Sequence, residues 1–330
     1  MTIHPRDIVV IGCSAGGVEA LPRIIQQFPP DFEAAILIAQ HLAPTHTPYL
    51  VTILQRSSRL PLEWAEQGAP VKPGHIVVTP PDLHLVLSDG HIGLTRGARE
   101  NYARPSINKL FRSAAAEYGN RVIGVLLTGM LEDGVAGLQA IRDAGGFVIV
   151  QDPRDAAYPE LPSRALQALE PDRTLPIDAI GAAIIAASRD DVTVAPPPPH
   201  VAIEAELDRR FHAEPSDMKL LGPQTALSCP ECRGPMWQLG DERLRRFRCY
   251  LGHVVTANEM LVASADDVES ALWSAVRALN DHAMTLETLA ADATRIGNGE
   301  SAEAYSRRAQ AARRQTEVAH QFVLDLARSK

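Results

Sequence analysis

Ile8-Val9-Val10-Ile11-Gly12-Cys13-Ser14-Ala15-Gly16-Gly17 decides how the first half of this chain folds. The four apolar residues read as a strand buried on both faces, as in a parallel sheet. The glycines permit a tight strand-to-helix turn, and Val18 to Gln27 reads as the helix that follows. Ser14 then stands at the carboxyl end of a strand, where an open parallel sheet keeps its ligand crevice, and near the positive end of a helix. A hydroxyl so placed can serve as a nucleophile, with backbone N–H groups ready for a developing oxyanion. The same turn also suits phosphate binding, or is an ordinary polar loop.

Outward from that turn the α/β pattern repeats to about residue 190. Ala35 to Ala39, Ile76 to Thr79, Val122 to Leu127 and Phe147 to Val150 read as further buried strands. Pro48 to Gln55, Ser106 to Tyr118, Gly134 to Asp143, Pro162 to Leu169 and Ile177 to Ser188 read as helices. Leu83 to Ser88 and His91 to Thr95, separated by Asp89-Gly90, predict a β-hairpin. The expected fold class is α/β: a mostly parallel, doubly wound sheet with an antiparallel hairpin, followed by a small zinc-ribbon-like module and an α-helical hairpin. Domains are expected at 1–190, 223–258 and 259–330. A Pro-rich linker spans 191–222, in which Pro196 to Pro199 favours an extended polyproline segment and the first half of the charged stretch Glu204 to Lys219 could form a short helix.

Composition narrows the function classes. The chain has 330 residues, 45% hydrophobic and 22% charged, and a formal net charge of -8, so general affinity for nucleic acid or an anionic membrane is not expected. The first residues lack a secretory signal pattern, and no apolar run reaches transmembrane length. A cytoplasmic placement follows as the expectation, and the few clustered cysteines suit a reducing compartment.

A serine nucleophile needs a base, and the base needs an acceptor that fixes its tautomer. His41 follows the second strand and Asp133 lies beyond the Val125-Leu126-Leu127 strand, so parallel strands would deliver both to the rim that carries Ser14. Either these three form a Ser-His-Asp set, or His41 is a surface residue and Asp133 caps the next helix. Asp152 is the alternative carboxylate. Thr128 would position its loop, Cys13 would pack, and Arg104 would either pin a substrate carboxylate or pair with a structural acid. His46 would touch substrate or start a helix, whereas His75, His84 and His91 default to solvent-facing positions.

Five segments in order then carry a resemblance: Val10 to Gly17; Gln40-His41-Leu42-Ala43-Pro44; Arg104 to Ala115; Leu127 to Gly134; and Tyr158-Pro159-Glu160-Leu161-Pro162. Together they resemble the bacterial chemotaxis protein-glutamate methylesterases over roughly residues 7–188. The resemblance implies hydrolysis of glutamate methyl esters on a chemoreceptor or related helical signalling protein, with possible deamidation of glutamines. Ser14 would be nucleophile, His41 base and Asp133 its orienting acid, with no cofactor at the catalytic centre. Backbone donors at Ala15, Gly16 and Met130 would hold the oxyanion. Ala15 stands where a threonine is common in the family. The pattern begins at residue 7, so an amino-terminal receiver domain, and phosphorylation control in cis, is not expected. Rival readings are a scaffold of a chemosensory-like pathway, or an esterase or deamidase with another protein substrate.

Beyond the linker, Cys229-Pro230-Glu231-Cys232 and Cys249-Tyr250-Leu251-Gly252-His253 have the spacing of two knuckles around one structural zinc. Arg233, Arg243, Arg245, Arg246 and Arg248 make the region locally basic, but this is thin support for nucleic-acid binding, and pairing with acidic residues or contact with a protein partner is the expectation. Leu272, Leu279, Leu286 and Ala293, with Val276, Ala283 and Ala290 between, predict a long helix with a narrow apolar seam. Gly297-Asn298-Gly299 breaks it. Ala304 to Leu326 should return antiparallel with Ala311, Val318 and Phe322 facing inward, although the same seam would also suit a homodimer.

Overall fold

The computed structural model describes residues 3–42, 49–210 and 213–328. His46 and Pro48 lie outside the described residues. The chain forms two compact units, one to Ala257 and one from Asn258.

In the first unit, seven parallel strands make one sheet. Across it they run Arg173–Leu175, Phe147–Gln151, Val122–Leu126, Ile8–Cys13, Ala35–Gln40, Ile76–Val78 and Leu62–Trp64. Side chains of a strand alternate between faces, and here both faces are covered. Val10 and Leu37 point to the side where Ile107, Phe111 and Leu138 pack, while Val9, Ile11 and Ile36 point to the side of Leu21, Ile24 and Ile180. Helices Ile107–Tyr118, Val135–Asp143 and Glu160–Ala168 supply the first layer, and Gly17–Ile25, Tyr49–Gln55 and Ile177–Ala187 the second.

The hairpin pairs His84–Ser88 with His91–Thr95. Asp89 and Gly90 both adopt positive φ, 52° and 72°, the backbone of a type I′ turn whose twist suits the flanking strands.

Within the Pro-rich stretch two helices form, and the first covers the start of the segment for which a short helix was one expectation. Pro199 opens the helix Pro199–Arg209, where its missing N–H costs nothing, and Glu214 and Asp217 form a capping box on Pro215–Leu221. Glu204 and Asp208, four residues apart, share a buried face of the first of these helices, and Met218 anchors the second beside Trp237 and Leu239. What the composition disguised is a pair of carboxylates that become buried because arginines meet them.

Residues 224–256 form a four-stranded antiparallel sheet: Gln224–Ser228, Pro235–Leu239, Arg246–Cys249 and Val254–Thr256, in that order. This ribbon belongs to the same compact unit as the seven-stranded sheet.

The second unit pairs helices Ala257–Arg295 and Gly299–Arg328, with Gly297 at φ 74° in the turn. Ala283 and Leu286 bury against Ala309 and Ala312, and Arg313 pairs with Glu287 at 2.8 Å. The first helix uses the expected seam. The second does not: Val318 and Phe322 are exposed, and Ala309, Ala312 and Val323 face inward instead. A helix with alanines on several faces offers more than one possible stripe, so spacing alone misassigned it. Among the described residues no helix is long and apolar enough to cross a membrane.

Candidate active site

Strand register brings Ser14 and His41 together. Cys13 pairs with Gln40, so the residues that follow leave the sheet side by side, and His41 N–H donates to Cys13 O at 3.1 Å. On the other flank Ser14 N–H donates to Thr128 O at 3.0 Å, tying the serine to the loop after Val122–Leu126. The turn needs glycine where Gly16 takes φ 78°. Gly129 is needed for room: a Cβ there would stand 2.8 Å from Ser14 Cβ.

Ser14 Oγ lies 3.0 Å from His41 Nδ1, and His41 Nε2 lies 2.7 Å from Asp133 Oδ2. A carboxylate only accepts, so Nε2 carries the proton and Nδ1 presents its lone pair to the Ser14 hydroxyl. Asp133 is almost fully buried, and His41 is partly open to solvent. The carboxylate accepts three further hydrogen bonds: from Ser106 Oγ at 2.9 Å, Ile107 N–H at 2.6 Å and Asn108 N–H at 3.2 Å. Those last donors are first-turn amides of the helix Ile107–Tyr118, groups without an intrahelical partner. Asp133 therefore sits at a helix N-terminus, but not that of the helix following it in sequence, whose N-cap is Gly134.

Neighbouring polar residues hold this arrangement in place. Thr128 Oγ1 donates to Ala15 O at 3.0 Å and accepts from Tyr158 N–H at 2.8 Å, clamping the serine turn. Gln40 Nε2 donates to both Ser14 O and His41 O, at 2.8 and 2.9 Å. Asn108 Oδ1 accepts from Gly134 and Gly137 N–H, fixing the loop that carries Asp133. Sequence reasoning missed Gln40 and Asn108, although both lie inside motif segments. Cys13 is buried as expected, its thiol pushed up by desolvation and donating to Gln40 Oε1.

His84 corrects an expectation. It is fully buried rather than solvent-facing; its Nδ1 accepts from Ser106 N–H at 3.1 Å and its Nε2 donates to Ala98 O at 3.1 Å. Burial, with Lys109 nearby, holds it well below the usual histidine range, so the imidazole is neutral. Arg104 pairs with Asp82 at 2.7 Å and donates to Arg96 O and Gly97 O. Asp152 pairs with Arg154 and His41 with Asp133. Ser14 and His41 open into a cleft of about 410 Å³ that Asn101, Tyr102, Arg104, Met130 and Leu131 also line, with Met130 half-exposed at its rim.

In the ribbon, Cys229, Cys232, Cys249 and His253 converge, with all four ligand atoms within 4.8 Å of one another. Cys232 and Cys249 Sγ are 3.7 Å apart, and Cys249 Sγ is 3.5 Å from His253 Nδ1. Hydrogen bonds from Cys249 and His253 pull the Cys229 thiol down, and the same contact raises His253.

A profile described as CheB methylesterase matches residues 9–184. The chain is 41% identical over 178 residues to protein-glutamate methylesterase/protein-glutamine glutaminase 2 of Anaeromyxobacter dehalogenans, a match covering 54% of this chain and 52% of that one. It thus spans about half the length of that relative. A Leptospira interrogans relative is 35% identical over 175 residues, covering 53% of this chain and 91% of its own length. The crystal structure of the Thermotoga maritima CheB methylesterase catalytic domain superposes with a TM-score of 0.53 at 34% identity, covering 55% of this chain and 97% of that domain.

Proposed function

The chain belongs to the CheB methylesterase family, and from that premise we propose that it is a serine hydrolase removing methyl groups from glutamate methyl esters of a chemoreceptor-type signalling protein. The observation that carries the reading is the unbroken relay Ser14–His41–Asp133 at 3.0 and 2.7 Å. Ser14 Oγ bonds to the ester carbonyl carbon while its proton passes to His41 Nδ1, and Asp133 balances the imidazolium. Backbone N–H groups at Ala15, Gly16 and Met130 hold the oxyanion. Collapse expels methoxide, which takes the proton from His41 and leaves as methanol. Water then gives a proton to His41 and its hydroxide to the acyl carbon; Ser14 recovers the proton and the glutamate carboxylate departs. A glutamine side chain follows the same path with ammonia leaving, in keeping with the double name of the Anaeromyxobacter relative. Methanol release from a methylated receptor preparation tests the proposal: Ser14→Ala and His41→Ala should abolish it, and activity equal to wild type in both would end the enzyme reading.

Cys229, Cys232, Cys249 and His253 hold a structural Zn²⁺. Zinc–sulfur bonds of about 2.3 Å in a tetrahedron imply sulfurs roughly 3.8 Å apart, against the 3.7 Å between Cys232 and Cys249. His253 turns Nδ1 to the sulfurs and leaves Nε2 3.7 Å from Glu231, an outer carboxylate of the kind that orients a ligating imidazole. The ribbon's own apolar core is small, so the ion supplies folding energy there. Metal quantification should give about one zinc per chain, lost in Cys232→Ser; a wild-type chain purified and refolded in zinc yet free of it would refute the assignment.

A further inference from the structure

The ribbon's last strand, Val254–Thr256, is the edge of its sheet, and edge strands carry a row of unsatisfied backbone groups. Here that edge is covered by the loop that walls the active-site cleft. Val254 N–H donates to Arg99 O at 3.3 Å, Val254 O accepts from Asn101 N–H at 2.8 Å, and Glu100 forms a parallel bridge to Val254. Arg99, Asn101 and Tyr102 line the same cleft as Ser14 and His41. Asn101 and Tyr102 hold φ of 52° and 58°, a conformation that non-glycine residues keep only when their surroundings impose it.

A second, independent tie lies beneath. Glu100 is fully buried and pairs with Arg112 at 2.6 Å. Arg112 also meets Glu204 and Asp208, at 3.0 and 2.6 Å. The ribbon contributes Arg246, 2.7 Å from Glu204, and Arg248, 2.8 Å from Asp208. Three carboxylates thus meet three guanidiniums in the interior, each acid shared, and the ribbon supplies two of the three cations. Removing one member leaves uncompensated buried charge, so this joint does not slide freely.

The candidate metal ligands bracket these contacts. Cys249 directly follows Arg248 and His253 directly precedes Val254, and Cys249 N–H closes on His253 O at 3.0 Å. A bound ion therefore fixes the turn that aims both Arg248 and Val254.

We infer that the Cys/His ribbon props the substrate-facing wall Arg99–Tyr102, so that metal loading governs how the enzyme holds its protein ester substrate while leaving the serine relay in place. This rests on the methylesterase reading for its kinetic arm only. Asn101 also connects inward, its Oδ1 accepting from Asn108 Nδ2 at 3.1 Å, but Asp133 keeps its own four donors without the ribbon.

The test uses the full chain with one equivalent of Zn²⁺, the chain stripped by chelation, and Val254→Pro. Proline deletes the N–H that reaches Arg99, and an edge strand tolerates it because that N–H lies outside the ribbon's own ladder. Hydrogen exchange at Asn101, whose N–H donates to Val254 O, should rise about tenfold or more in the stripped chain. With a methylated receptor, KM should rise about tenfold in both the stripped chain and Val254→Pro with kcat within about threefold, and labelling of Ser14 by a fluorophosphonate probe should persist. Unchanged exchange at Asn101 in the stripped chain overturns the inference. So does an unchanged KM in a chain that demethylates the receptor. If no form demethylates it, the exchange arm still decides the inference, and only the substrate assignment fails.

Discussion

Asp133→Asn separates this site from a triad whose acid serves catalysis alone. In the native chain one carboxylate serves two structures: it accepts from His41 Nε2–H, and it accepts from Ser106 Oγ and two first-turn amides of the helix Ile107–Tyr118. An amide keeps one accepting oxygen and turns an NH₂ toward groups that are themselves donors. If the oxygen serves His41, Asn108 N–H meets a donor; if it serves the helix, His41 is driven to the tautomer that cannot take the Ser14 proton. Loss of an orienting carboxylate in a Ser-His-Asp relay costs about 10⁴ in kcat, or roughly 5.5 kcal/mol of transition-state stabilisation. Replacing the charged acceptor of two buried amides costs a further ~2–4 kcal/mol of stability, because charge-assisted hydrogen bonds are worth about 1.5–3 kcal/mol each. For a unit of this size that lowers Tm by about 5–10 °C. Methanol release and thermal unfolding measured on the same preparations check both figures, with His41→Ala as reference: it should lose activity while shifting Tm by less than about 3 °C. A variant as stable as wild type would refute the helix-capping half of the reasoning, and one as active would refute the relay.

Three other outcomes are expected. His84 is buried and neutral when folded but protonates near 6.5 when unfolded, so the unfolded chain binds the extra proton on acidification and stability falls as pH drops below that value, by up to about 1.4 kcal/mol per pH unit. Unfolding midpoints between pH 7.5 and 5.5 should show this slope flattened in His84→Gln. Arg112→Met removes the one cation that Glu100, Glu204 and Asp208 share, leaving three buried carboxylates to two guanidiniums, and should cost about 3–5 kcal/mol in denaturant titrations, far more than the loss of an exposed arginine such as Arg154. Gly129→Ala places a methyl 2.8 Å from Ser14 Cβ and 2.7 Å from Leu161 Cδ2, so kcat should fall with His41 and Asp133 both present; a fully active variant would show that the serine turn has slack.

The parallel sheet was legible because its central strands are uninterrupted apolar runs ending in polar residues. Once Ile8–Cys13, Ala35–Gln40 and Val122–Leu126 were read as neighbours, register put Ser14, His41 and the Asp133 loop on one rim. Leu62–Trp64 and Arg173–Leu175 escaped because three-residue edge strands carry no periodic signal. The capping partner of Asp133 escaped because it lies 25 to 27 positions upstream, and end-capping rules look only at adjacent residues. Acid partners were expected for the ribbon arginines, but nothing in the sequence pointed to Glu204 and Asp208 as the acids that Arg246 and Arg248 meet. Their burial follows from their meeting one another, a long-range fact that composition does not hold. His84 was misplaced for a related reason: its hairpin face is covered by the helix that begins at Ile107.

The proposed reaction depends on one hydroxyl losing its proton to one imidazole. Treating the full chain with a fluorophosphonate and mapping adducts by peptide mass spectrometry tests that directly. A single adduct on Ser14, formed in wild type and slowed by orders of magnitude in His41→Ala, is the expected result; modification at another residue, or equal rates in the two proteins, would contradict it.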